Sequence, residues 1–213
     1  ASVNNTNFTL SSGGATTFNG SGSGTRQWKA GTGTYALTHT AGNMCLNMGT
    51  TTNLANPTTT FNNATWTCSG NTTNQRTWAG GSVTYGPTTW NGNSSNGSMF
   101  ITGAATYSSL TINSPQFILL NAGTTYTVTN ALTLTGSSSS SLVSIQAGFD
   151  TTATFSIGAA STATWVALRT FVTSGAAALT ATNCFNQGVN TLANSGSCTG
   201  PSGGGGGGRI IGG

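Results

Sequence analysis

Five cations, Arg26, Lys29, Arg76, Arg169 and Arg209, face a single acid, Asp150, across 213 residues, giving a net charge of +4 and a charged fraction of 3%. Cations this scattered do not make the basic face that nucleic acid requires, and no apolar run approaches the roughly 18 residues that would suggest a bilayer span. One carboxylate supplies no acid and base pair for glycoside hydrolysis, and a surface so poor in charge must be wetted by Thr, Ser and Asn and favours packed assembly.

From Ala1 to Gly24 the apolar residues are Val3, Phe8, Leu10 and Phe18 among Asn, Ser, Thr and Gly, which predicts one or two short strands. Between Arg26 and Gly70 the alternation of Met44, Leu46 and Met48 predicts a strand with Cys45 on its opposite face, and Pro57 marks a loop. Trp66, Trp78 and Trp90 recur every twelve residues. That register predicts rings stacked across adjacent strands or coils, and exposed rings there would make a glycan or subunit contact. Residues 1–100 are read as an N-terminal β-rich region of short strands and long loops.

The next stretch, 101–185, decides the fold class. Short apolar bursts, Leu110–Ile112, Phe117–Leu120, Tyr126–Val128, Leu132–Leu134, Leu142–Ile145, Phe155–Ile157, Trp165–Leu168 and Leu179–Ala181, alternate with small polar turns. In Tyr126-Thr-Val-Thr and Leu132-Thr-Leu-Thr every second side chain is Thr, the period of a strand with one buried and one wet face. The expected class is all-β, a right-handed β-helix or β-solenoid in the C-terminal half, with a β-sandwich as the alternative. Ice binding would require Thr-x-Thr pairs in register on one flat face, and the uneven spacing of the pairs at 125–127, 127–129 and 133–135 speaks against it.

Residues 186–213 read as an irregular glycine-rich tail, with six consecutive glycines at 203–208 followed by Arg209-Ile-Ile-Gly-Gly. Four cysteines leave two readings open. Cys45 with Cys68, and Cys184 with Cys198, are near-neighbour pairs, each closing a loop worth about 3 kcal/mol; in a reducing compartment all four stay free and buried. No catalytic, cofactor or metal site is expected: His39 alternates with Leu37 and Ala41 and reads as structural, the cysteines lack metal-ligand spacing, and no nucleophile elbow frames a serine.

The run from Leu119 to Gly136, with Ser141–Ile145, Thr154–Ile157 and Thr164–Leu168, resembles the β-helical repeat of bacteriophage virion proteins and bacterial surface adhesins, and the glycine-rich end resembles phage tail and fibre proteins. The resemblance implies a non-enzymatic tail or fibre component of a virion. Its implied partners are other copies of itself, most simply as a trimer, other virion proteins and host surface glycans. The alternatives are a capsid decoration or head-fibre protein, and a secreted adhesin or surface-layer module outside the cell.

Overall fold

The computed structural model describes residues 8–12, 34–39, 44–47, 65–70, 76–79, 84–92, 98–114, 116–147, 151–188 and 190–201, with the side chains of Trp78 and of residues from 84 onward except Gln116. Every regular element among them is a strand. In chain order these are β1 (Phe8–Ser12), β2 (Thr34–His39), β3 (Met44–Asn47), β4 (Thr65–Gly70), β5 (Arg76–Ala79), β6 (Thr84–Tyr85), β7 (Thr88–Asn91), β8 (Ser98–Thr102), β9 (Thr106–Tyr107) and β10 (Leu110–Asn113). There follow β11 (Gln116–Leu120), β12 (Thr125–Val128), β13 (Leu132–Thr135), β14 (Val143–Gln146), β15 (Ala153–Ile157), β16 (Ser161–Arg169), β17 (Phe171–Gly175), β18 (Leu179–Asn186) and β19 (Ser197–Thr199).

The chain winds these strands into a solenoid with three faces. Face A stacks β1, β2, β4, β7, β10, β13, the first half of β16, the first half of β18 and β19; face B stacks β3, β5, β8, β11, β14 and the second halves of β16 and β18; face C stacks β6, β9, β12, β15 and β17. All of these ladders are parallel. A sandwich of antiparallel hairpins is thereby ruled out, and the solenoid reading stands. β8 spans residue 101, where the sequence suggests a division, and the face A ladder passes from β4 through β7 to β10 without a break. β19 adds a rung within the stretch read as an irregular tail.

Along face A coil length varies, but register does not. Thr89 pairs with Thr111 and Thr111 with Thr133, 22 residues on each time; Thr133 pairs with Thr162, 29 on; Thr162 pairs with Thr180, 18 on. The surplus of the long coil goes into residues 136–142 and 147–152, between strands, where the short coil has the single corner residues Trp165 and Thr170. Those two, with Asn183, turn the chain in the left-handed conformation at φ of 48°, 52° and 51°, a cost of order 1–2 kcal/mol per residue that the surrounding ladders sustain. Gly136 sits under the first of these bends, where any Cβ would strike the Trp165 carbonyl.

The lumen is filled by the inward half of each strand. On face A the inward column runs Trp90, Ile112, Leu134, Ala163, Ala181 and Cys198, so the large side chains lie toward β7 and the small ones toward β19. Face C contributes rings: Tyr85 stacks on Tyr107 at 5.6 Å, and Tyr126, Phe155 and Phe171 follow one another at 5.4 and 5.6 Å. On face C the last coil adds, among the described residues, a single parallel bridge from Thr191 to Val172, and beside it Asn190 donates from Nδ2 to the Leu168 carbonyl at 2.8 Å and accepts the Phe171 N–H at 2.9 Å.

Burial raises the Tyr85, Tyr107 and Tyr126 phenols above their ordinary value of 10.0, and for Tyr107 the neighbouring phenols add to it. The folded chain therefore keeps protons that the unfolded chain releases once pH passes about 10. Stability is expected to be level below that value and to fall as pH rises through it. Urea midpoints measured across the alkaline range check this, and Tyr85→Phe should flatten the decline.

Candidate functional site

The outward halves of the same strands give the three faces different surfaces. Five rungs of face A share one four-residue pattern: Thr88-Thr-Trp-Asn91, Leu110-Thr-Ile-Asn113, Leu132-Thr-Leu-Thr135, Ser161-Thr-Ala-Thr164 and Leu179-Thr-Ala-Thr182. In each, the first and third residues point into the lumen and the second and fourth point out. The sixth rung, Ser197-Cys-Thr199, continues both outward positions.

Two columns result. One is Thr89, Thr111, Thr133, Thr162, Thr180 and Ser197; the other is Asn91, Asn113, Thr135, Thr164, Thr182 and Thr199. Rungs lie about 4.8 Å apart and the columns, two residues apart along each strand, about 6.6 Å. By backbone register, Thr67 of β4 extends the first column and Ser69 stands at the alternate position of that strand. Thr135, Thr162, Thr180, Thr182 and Thr199 are exposed and the remaining members half-buried. The Asn113 amide donates to Asn91 Oδ1 at 2.8 Å, and the Thr182 hydroxyl donates weakly to the Ala163 carbonyl at 3.5 Å. Among the described residues, the other threonine hydroxyls of the array have no protein partner.

Face C carries a narrower hydroxyl column, Thr84, Thr106, Thr127, Ser156 and Ser174. Face B differs, placing Phe100, Phe117, Leu119 and Phe185 outward beside Ser98, Ser144, Gln146 and Arg169, with Phe117 at 36% exposure. At the end of the lumen a cavity of ≈ 270 Å³ is lined by Leu168, Asn186, Asn190, Leu192, Gly196 and Cys198. Its amides are held by neighbouring backbone and by each other, and no ionisable side chain lines it.

The residues singled out from sequence fall in other places. Trp78 and Trp90 are fully buried and meet across the lumen, centroids 5.8 Å apart, one on face B and one on face A. A glycan or subunit contact through these two rings is therefore corrected: with no accessible surface, they pack the core. The interval of twelve is also not the coil; it carries the chain from one face to another. The Trp66 side chain lies outside the described residues.

Cys184 and Cys198 form a disulfide with sulfurs 1.99 Å apart. It runs inside the lumen, joining the inward position of face B on β18 to that of face A on β19. The side chains of Cys45, Cys68 and His39, and all of Asp150, lie outside the described residues. Among the described residues no three His, Cys, Asp or Glu side chains cluster as metal ligands, and no helix is long and apolar enough to cross a membrane.

The threonine columns escaped the sequence reading because their period is hidden in primary structure. The usable signal was the repeated four-residue pattern itself, taken without regard to the distance between its copies. Comparison with protein-family models, with curated proteins and with solved structures finds no match for this chain.

Proposed function

We propose that this chain is a non-enzymatic structural component of a phage particle, of the tail or fibre type, working as a rod that assembles with further copies of itself. The observation that most supports this is the uninterrupted parallel stack, whose flanks display mainly hydroxyls, amides and a few apolar side chains and few ionisable groups, Arg169 on face B among them. Such a rod resists bending through its ladders and has little charge to keep copies apart. The outward Phe100, Phe117 and Leu119 give face B an apolar patch for a second copy, and three copies can each turn that face to a common axis. Host surface glycans would then meet the hydroxyl-bearing flanks.

Mass spectrometry and immunogold labelling of purified particles test the assignment. The chain is expected in stoichiometric amounts at the tail or a fibre, and particles without it would overturn the reading. In solution the mass should be three times 21.2 kDa; a stable monomer at working concentration would refute the self-assembly.

One observation favours a second reading, that of a secreted surface module. The Cys184–Cys198 disulfide fits a compartment in which such bonds persist. Recovery of the chain from the outer surface of uninfected cells would select this reading over the virion.

A further inference from the structure

We infer that the outer surface of face A binds ice. The inference goes beyond the structural role proposed above and does not depend on it, because it rests on the lattice that the outward side chains of this sheet form.

Three features of the face lead there. The first is repetition in two directions: the two columns run in register over six rungs, with spacings of about 4.8 and 6.6 Å that lie near the oxygen repeats at the surface of hexagonal ice. The unequal intervals between Thr-x-Thr pairs in the sequence do not disturb this order, since the added residues leave the chain at its corners. The second is rigidity. Threonine is branched at Cβ and restricted in χ1, so successive rungs set a methyl and a hydroxyl at nearly the same height, already ordered before binding. The third is chemical: every outward position in the six rungs is Thr, Ser or Asn. No charge is present to hold a competing hydration shell, and most of the hydroxyls are not engaged by the protein itself.

A macromolecular partner fits the face less well. Protein interfaces take their energy from aromatic or arginine anchors seated in pockets, and neither occurs among the outward residues of these rungs. What distinguishes the face is that a small hydroxyl or amide side chain recurs at both outward positions of every step along the solenoid axis. Only a partner with its own translational repeat meets all six rungs equally, and an ice surface has one.

The test uses the full chain and ice alone. In its presence, growing crystals are expected to become faceted, the freezing point to fall below the melting point, and the protein to concentrate in a slowly grown ice shell. Thr162→Tyr places a ring in the middle of the array and lifts neighbouring rungs from the lattice together, so partition into ice should drop by about tenfold or more. Thr125→Tyr, an exposed position on face C, should partition like the wild type. Circular dichroism of both variants separates loss of binding from loss of fold. Ice that grows in the presence of the wild type as it does in buffer overturns the proposal, and so does a folded Thr162→Tyr that partitions normally or a folded Thr125→Tyr that does not.

Discussion

Phe155→Ala should destabilise the protein by about 3–5 kcal/mol, the cost usual for truncating a fully buried ring. Phe155 has no exposure and stands between Tyr126 and Phe171, at 5.4 and 5.6 Å, so its removal leaves a void touching three consecutive coils. In a solenoid each coil contacts only its neighbours, and damage at one level weakens coupling between the halves on either side. Urea denaturation should therefore show a lower midpoint and a broadened or split transition, with the coils from β15 onward lost first. A change below about 1 kcal/mol would mean that the column is not packed as described.

Replacing both Cys184 and Cys198 with alanine should cost about 3 kcal/mol, from the loop-closure entropy restored to the unfolded chain. The bridge spans 14 residues and closes the last coil on itself. Because the crosslink holds β19 to β18 at the end of the stack, the loss should be local. Hydrogen exchange is expected to accelerate over residues 179–199 while β10 and β13 keep their protection. Reductant should lower the stability of the wild type by more than that of the double variant; equal effects on both would place the contribution elsewhere.

The strands themselves were legible because a period of two survives in segments as short as Leu132-Thr-Leu-Thr135, whatever their neighbours. Which strand pairs with which was not. Pairing in a solenoid depends on coil length, and from β7 to β19 coil length ranges from 17 to 29 residues between adjacent rungs of face A, because the corners accept anything from Trp165 alone to the whole of 136–142. The equal spacing of Trp66, Trp78 and Trp90 suggested a repeat, yet burial in a closed lumen, rather than stacking along one face, decides where Trp78 and Trp90 sit. Ser197-Cys-Thr199 was missed as a rung because it has no aliphatic residue; the inward half of its pattern is the half-cystine that binds it to Cys184. For the same reason the hydroxyl face was only half visible. Its members could be named from the sequence, but their alignment is a property of the winding.

The uniform direction of the rungs bears on how copies join end to end. A rod whose strands all run one way is a vector: from β7 to β19 the inward face A column changes from the Trp90 indole to Ala181 and a half-cystine. Parallel ladders continue from one copy to the next only where unlike ends meet. Such heterologous contacts have no built-in stopping point and run on into an open filament unless another molecule terminates them, so an assembly using this rod at fixed length needs a separate plug at one extremity.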